Sequence, residues 1–131
     1  MALNEKYTYP NDYTVECTFR IGSKDFYGVA KCHPEDTYSK RVGERVACDR
    51  AQIAAMCDER DNTVTQLRVL KHLKSIYDQT DKVDTTGYEY KMLVRQINKL
   101  EEDLTVYRYI IKGLKENSKE YVRGYAKLLK R

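Results

Sequence analysis

"YTVECTFRIGSKDFYGVAKC", residues 13–32, gives the plainest view of how this 131-residue chain folds. Across residues 13–21 apolar and polar side chains alternate, which is the period of a strand with one buried face. The run GSKD at 22–25 has the composition of a turn, and a second strand is predicted over residues 26–32. The two strands predict an antiparallel hairpin, to which residues 7–9 add a short third strand. A lone hairpin is marginal in water, so its apolar face must lie on a helix or on a partner.

The residues after the second strand favour a helix. Pro34 ends that strand because it cannot donate to a β-ladder, and it fits the first turn of a helix. Thr37 and Ser39 compete as the helix cap. The helical pattern continues to about Tyr77, and its polar segment at 57–63 either crosses solvent within one helix or breaks the helix in two. One helix is predicted, because no Gly or Pro interrupts this segment.

The C-terminal helix has the most regular pattern in the chain. After a connector at 79–87, in which Thr85 or Thr86 is predicted to cap the helix, seam positions recur alternately three and four residues apart. The seam consists of Tyr90, Leu93, Ile97, Leu100, Leu104, Tyr107, Ile111, Leu114, Ser118, Tyr121, Tyr125 and Leu128. All but Ser118 are apolar or aromatic, which is typical of a coiled coil or a long antiparallel helix pair. The preceding helix is expected to cover part of this seam, and a second chain is predicted to cover the rest.

These elements predict an α+β fold, in which an N-terminal antiparallel β-hairpin is followed by two long α-helices that form a coiled-coil-like oligomer. The chain is predicted to be a single domain over residues 1–131, a length that suffices for a core of its own. Within it, the β-hairpin region is 1–33, the first helical region is 34–78 and the long C-terminal helix is 88–130.

Composition narrows the classes of function. Charged residues make up 34% of the chain, and no apolar run approaches the roughly 20 residues of a membrane helix. Because the N-terminus also lacks a secretion signal, a cytoplasmic protein with no membrane partner is predicted. Four cysteines, at positions 17, 32, 48 and 57, form no C-x-x-C motif and are predicted to be reduced. No metal site and no cofactor are predicted, and the absence of common catalytic motifs predicts that the protein is not an enzyme.

The adjacent Cys32 and His33 raise the question of a catalytic pair or of metal ligands. Neighbouring residues on a strand point to opposite faces, so the two side chains should not converge. The other histidine, His72, belongs to a distant helical segment. The junction of a strand and a helix is therefore the better interpretation of this pair.

A basic stripe lies beside the seam near the C-terminus. It consists of Lys112, Lys115, Lys119, Arg123 and Lys127, spaced three, four, four and four residues apart. Either this stripe is a solvated flank of a coiled coil, or its cations converge at a contact between subunits and hold phosphates. In the second case Tyr88, Tyr90 and Asn98 would supply stacking rings and an amide, the groups that bind a nucleobase.

The run GVAKCHPED at 28–36 resembles a pattern of phage and prophage proteins. The pattern continues after this run with an aromatic residue, a basic residue, Gly43, an apolar residue, an alanine and Arg50-Ala51. Over roughly residues 26–54 the chain is similar to the first Tad type of the Thoeris anti-defence sponge family. The rest agrees with that family in layout, a hairpin followed by two long helices. The resemblance implies a phage protein of the bacterial cytoplasm that sequesters the cyclic ADP-ribose signal of a TIR-domain defence protein without cleaving it.

The resemblance also implies a homo-oligomer, either a dimer or a hexamer built from dimers, with ligand at subunit interfaces. Some members hold cyclic di- or trinucleotides at a separate site. The family pocket combines an aromatic ring, an amide and basic side chains of the last helix, which correspond here to Tyr88, Asn98, Lys115 and Lys119. If the family pattern requires arginine at the last two positions, lysine loses its bidentate grip on phosphate. Two alternatives stay open: a small basic nucleic-acid-binding phage protein, and a coiled-coil assembly module without a ligand.

Overall fold

A computed structural model of the protein describes residues 4–32, 39–80 and 87–129, with side chains up to residue 124. Its elements are β1 (Glu5–Asn11), β2 (Thr14–Ile21), β3 (Lys24–Lys31), α1 (Lys40–Gln79) and α2 (Tyr88–Leu129). The predicted α+β fold, with antiparallel strands followed by two long helices, is therefore confirmed. The oligomer stays a prediction.

The three strands form one antiparallel sheet in the order β1-β2-β3. The short third strand predicted around residues 7–9 is present as the seven-residue β1. In the central strand β2, Val15 and Cys17 are fully buried. The alternation over residues 13–21 predicts that Tyr13 and Ile21 share this buried face, but 49% and 47% of their surfaces are exposed. A period of two tells which side chains share a face, but not how far the covering helix reaches along it.

Both turns of the sheet are short and follow from local chemistry. Gly22 has a φ of 61°, in the left-handed region that favours glycine, and forms a two-residue turn with Ser23 before β3. The predicted turn at 22–25 is therefore shorter by two residues. In the turn before β2, the Tyr13 amide donates a hydrogen bond of 3.0 Å to the side-chain oxygen of Asn11.

The chain divides into two compact units, one formed by Met1–Cys57 with Ile110–Arg131 and the other by Asp58–Tyr109. Each unit has a buried cluster of its own. In the first unit the cluster consists of Val15, Cys17, Ala30, Ala47, Cys48 and Ala51, with Tyr7, Phe19 and Val46 packed against it. Because half of the buried members are alanine, α1 can lie close to the sheet. The prediction that the whole chain is one domain stays a prediction, which unfolding cooperativity would test.

Gly28 of β3 is a point of very close approach between the sheet and α1. A Cβ atom added at Gly28 would lie 2.0 Å from the carbonyl oxygen of Ala47 and 2.5 Å from the amide nitrogen of Ala51. Both are backbone atoms, which cannot rotate aside as a side chain can. Nearby, the guanidinium of Arg50 donates to the backbone carbonyl of Val29 and so ties α1 to β3.

α1 is a single helix of 40 residues, which confirms the prediction that the polar segment at 57–63 does not break it. Ser39 caps the helix, since its side-chain oxygen accepts a hydrogen bond of 3.4 Å from the Val42 amide. Within the polar segment, the buried Thr63 hydroxyl donates to the Glu59 carbonyl over 2.9 Å. This bond satisfies a buried polar group without interrupting the helix.

In the second unit, the seam of α2 faces α1 of the same chain. Leu93 and Ile97 are buried together with Leu67, and Leu70, Tyr77, Leu100 and Leu104 pack against these three residues. The preceding helix thus covers this part of the seam, as predicted. An ion pair of 2.9 Å between Lys71 and Glu101 joins the helices, but both side chains are exposed and such a pair stabilises little.

Several predicted features lie outside the described residues. These are His33, Pro34, Thr37, Thr85 and Thr86, and, for their side chains alone, Tyr125, Lys127 and Leu128. Within the ranges that are described, no helix combines the length and the apolar character needed to cross a membrane.

Candidate functional site

Four cations of the predicted basic stripe are described, and all four are exposed on α2: Lys112, Lys115, Lys119 and Arg123. Their spacing places them on one side of the helix over about 16 Å. None of them forms an ion pair with a residue in the described part of the chain, although Glu116 and Glu120 lie on the same helix. Because no neighbouring carboxylate neutralises these exposed cations, their positive charge can attract and bind an anion.

Three arginines elsewhere that could hold an anion are already engaged. Arg45 contacts both carboxylate oxygens of Asp49, at 3.2 and 3.1 Å, and its guanidinium lies 4.7 Å from the ring centre of Tyr121. Arg20 and Arg60 also have polar partners. The i,i+4 spacing of Arg45 and Asp49 is visible in the sequence. The contact with Tyr121 is not, because it joins two different helices.

Tyr88 begins α2 with 76% of its surface exposed, and it makes no hydrogen bond or ring contact with any described residue. Tyr90 differs. Its hydroxyl donates to Asp78 over 2.6 Å, and its ring centre lies 6.5 Å from that of Tyr77. Of the two rings predicted to stack on a base, Tyr88 is therefore available, and Tyr90 is committed to the contact between the helices.

Asn98 is exposed as well and lies on α2 about 15 Å along the helix from Tyr88. These two residues belong to the second unit, whereas Lys115 and Lys119 belong to the first. The structure thus brings only the two lysines together, one helical turn apart on the same face, whereas nearly three turns of α2 separate Tyr88 from Asn98. The pocket that combines all four residues, predicted to draw on two chains, stays a prediction.

A groove of about 430 Å³ lies between α1 and α2 in the second unit, and none of the four predicted residues lines it. Its lining includes Lys71, Lys74, Asp78, Ile97 and Glu101. Lys74 donates to Asp78 over 2.8 Å, and hydrogen bonds from Lys74 and then from Tyr90 lower the pKa of the Asp78 carboxyl. Because each lysine of the groove faces a carboxylate, the groove lacks the excess positive charge of the stripe. The sequence did not reveal it, since it depends on how the two helices pair.

The four cysteines, all within the described part of the chain, form no disulfide. Cys17 is fully buried, and desolvation, with Cys48 beside it, raises the pKa of the Cys17 thiol to about 12, so it is chemically inert near neutral pH. Among the residues described, no group of three or more His, Cys, Asp and Glu side chains could hold a metal ion. Cys32 is half-buried at the end of β3, and since His33 lies outside the described residues, the predicted divergence of the two side chains stays a prediction.

The described residues that carry the family resemblance meet where the sheet contacts α1. Gly28 lies against Ala47 and Ala51, and Arg50 donates to the carbonyl of Val29. These residues therefore hold the fold of the first unit together.

Comparison with known proteins provides no relative. No protein-family model, no curated protein and no solved structure matches the chain. No family is therefore assigned to the chain.

Proposed function

We propose that the protein is a phage anti-defence protein, which binds a cyclic ADP-ribose signalling molecule and sequesters it without cleaving it. In the cytoplasm of an infected bacterium, loss of the signal would block immunity of the Thoeris type. Two observations support the proposal: the resemblance over residues 26–54 and the cations of the stripe on α2. Cyclic di- or trinucleotides at a separate site are part of the same proposal.

The observation that carries the proposal is that the four described cations of the stripe are exposed and without ion-pair partners in the described part of the chain. A cyclic ADP-ribose contains a diphosphate with two negative charges. Lys115 and Lys119 lie one turn apart, and Cβ atoms at that spacing are about 5–6 Å apart. Two ammonium groups on flexible stems can therefore reach neighbouring phosphates, each as a point charge rather than a bidentate fork.

Recognition of the rest of the ligand is proposed to come from the start of α2. The exposed ring of Tyr88 offers a flat face on which adenine can stack, and the Asn98 amide offers both a donor and an acceptor to a base or a ribose. Tyr88 and Asn98 of one chain would act with Lys115 and Lys119 of another. The proposal therefore includes a homo-oligomer, either a dimer or a hexamer built from dimers.

Isothermal titration calorimetry with cyclic ADP-ribose tests the proposal. Tyr88→Ala removes a stacking contact of about 1–3 kcal/mol and should weaken binding by about fivefold to a hundredfold. Lys115→Glu should weaken binding further, because it replaces attraction of a phosphate by repulsion. Neither change should alter the far-UV circular dichroism spectrum, since both side chains are exposed.

Two matched variants control for the chemistry of these substitutions. Tyr109→Ala removes a tyrosine that is 79% exposed, and Lys6→Glu reverses an exposed lysine of β1. Both should bind as the wild type does. Absence of binding by the wild-type protein, or equal losses in the control variants, would contradict the proposal.

The same titrations separate the alternatives. A compact site for one small ligand loses little affinity as salt rises, whereas a polyanion site loses affinity steeply because counterions are released. Binding of single-stranded or duplex nucleic acid with a steep salt slope, and no binding of the cyclic nucleotide, would favour a nucleic-acid-binding protein. Failure to bind either ligand would favour an assembly module.

A further inference from the structure

Asp49 is the only charged residue among the buried residues of the described part of the chain. It lies on α1 next to Cys48 of the buried cluster in the first unit. A buried carboxylate needs a partner, and Arg45, one turn earlier on the same helix, provides it. The Arg45 Nε atom lies 3.2 and 3.1 Å from the two carboxylate oxygens. Asp49 therefore fixes the position of the Arg45 guanidinium.

The other contact of this guanidinium reaches α2. The guanidinium carbon of Arg45 lies 4.7 Å from the ring centre of Tyr121, a distance at which a cation is attracted to the face of the ring. Arg45, Asp49 and Tyr121 all belong to the first unit. Apolar side chains of similar volume often stabilise a protein at least as well as a buried ion pair does, so the contribution of such a pair is better sought in the position that it specifies.

Tyr121 stands between two cations of the basic stripe. Lys119 and Arg123 are each two residues away from it on α2, which corresponds to a rotation of about 200° around the helix axis. When the Tyr121 ring faces Arg45, both cations therefore point to the opposite side of the helix, where they are exposed. The contact with Arg45 thus sets the direction in which this part of the basic stripe points.

We infer that Arg45 is a positioning residue for the ligand site on the basic stripe, and that it acts through Tyr121 without touching the ligand. The inference rests on the proposed function. A diphosphate is held well only if the ammonium groups already point toward it, since every group that must first be ordered lowers the affinity. Asp49 pairs with Arg45, so Arg45 itself offers little attraction to an anion. Its contribution is to keep α2 ordered and correctly rotated around Lys115 and Lys119.

A substitution at Tyr121 tests the inference better than one at Arg45, because loss of Arg45 would leave Asp49 buried without a partner and destabilise the unit. Tyr121→Leu removes the ring but keeps an apolar side chain on the seam. In titration calorimetry this variant should bind cyclic ADP-ribose about two- to fivefold more weakly, the factor that corresponds to loss of an exposed cation–π contact. Tyr121→Phe keeps a ring for Arg45 and should bind as the wild type does.

Tyr107→Leu is the matched control. It makes the same change at another half-buried tyrosine of the seam, and among the described residues no cation lies over the Tyr107 ring. This variant should also bind as the wild type does. Hydrogen exchange followed by mass spectrometry gives a second measurement that needs no ligand. The amides of residues 112–124 should exchange faster in Tyr121→Leu than in Tyr121→Phe or Tyr107→Leu.

Equal affinity of Tyr121→Leu and the wild type for cyclic ADP-ribose would overturn the inference. An equal loss of affinity in Tyr121→Phe or Tyr107→Leu would overturn it as well, because the effect would then not depend on a ring beside Arg45. If the wild-type protein does not bind cyclic ADP-ribose, the proposed function fails by itself, and hydrogen exchange still tests the positioning. Equal exchange over residues 112–124 in Tyr121→Leu and Tyr121→Phe would show that Arg45 does not position this part of α2.

Discussion

Gly28→Ala should destabilise the protein severely, because the added methyl group has no space. Its carbon would lie 2.0 Å from the Ala47 carbonyl oxygen, whereas a Cβ atom is hardly ever found within 3.0 Å of another heavy atom. α1 therefore has to move away from the sheet by about 1 Å or more, and a gap of that size already forfeits a quarter to a half of each dispersion contact it opens. Overpacking of a core typically costs about 1–3 kcal/mol. Since the clash here is with backbone atoms, we expect a loss of at least about 3 kcal/mol, a large share of the 5–15 kcal/mol that stabilises an ordinary domain.

Urea unfolding followed by far-UV circular dichroism measures this loss, and the chain offers a control with the same chemical change. Gly113 lies within α2, and a Cβ atom added there would meet no atom within 4 Å. Gly113→Ala should therefore stabilise the protein by about 0.5–1 kcal/mol, the ordinary gain of alanine over glycine in a helix. The two variants should move the urea midpoint in opposite directions.

A Gly28→Ala variant whose free energy of unfolding lies within about 0.5 kcal/mol of the wild-type value, the usual range of a harmless surface substitution, would refute this explanation. That result would mean that α1 does not approach β3 as closely as the Ala47 and Ala51 backbone indicates. A loss of similar size in both glycine variants would equally count against the explanation, since only one of them has a clash.

Two further predictions concern single groups of the first unit. The buried Cys17 thiol has a pKa raised from 9.0 to about 12, so it stays protonated at pH values where the thiol of the unfolded chain ionises. Its contribution to the free energy of unfolding is therefore fully present below pH 9 and is lost as the pH rises toward 12. The loss amounts to up to about 1.4 kcal/mol per pH unit. In urea unfolding above pH 9, the free energy of unfolding of Cys17→Ala should therefore depend less steeply on pH than that of the wild type, and an unchanged dependence would contradict this prediction. Ser39→Ala should cost about 0.5–1 kcal/mol, because it removes the cap that the Val42 amide reaches over 3.4 Å. Ser75→Ala, inside the same helix, removes only a solvent-exposed hydrogen bond of 3.4 Å from the Gln79 side chain and should cost nothing. Equal urea midpoints for the two serine variants would show that the cap does not contribute.

Periodicity was sufficient to predict the fold, because each period reports directly on backbone geometry. Alternation over residues 13–21 gave a strand, and the absence of Gly and Pro over 57–63 gave one continuous helix. The pattern does not show how much of the apolar face of a strand the neighbouring helix covers. Tyr13 and Ile21 follow the alternation but are exposed, since burial depends on the reach of α1 rather than on the strand.

The candidate site was predictable only in part. Exposure of the basic stripe follows from its position beside the seam, and the structure places Lys115 and Lys119 at the surface accordingly. The hydrogen bond from Tyr90 to Asp78 joins residues on two helices across a connector, and no local pattern encodes such a pairing. It separates the roles of Tyr88 and Tyr90, which the sequence alone treats as equivalent rings.

Part of the α2 seam is already covered within one chain. From the sequence, a second chain is expected because the α2 seam is long, but in the second unit Leu93 and Ile97 of that seam are buried against α1 of the same chain. A charged substitution at Leu93 or Ile97 should therefore unfold this unit, because it would bury an unpaired charge.

Substitutions at the residues of the family resemblance and at those proposed to hold the ligand should reduce binding for different reasons. Gly28 and Arg50 lie in the contact between the sheet and α1, so substitutions there should reduce binding only as far as they reduce the folded fraction. Lys115 and Tyr88 are exposed, so substitutions there should reduce binding with the folded fraction unchanged. Binding and urea stability should therefore fall together in the Gly28 and Arg50 variants, whereas binding alone should fall in the Lys115 and Tyr88 variants. If binding followed stability in all four, neither Tyr88 nor Lys115 would contact the ligand, and the role proposed for them would be wrong.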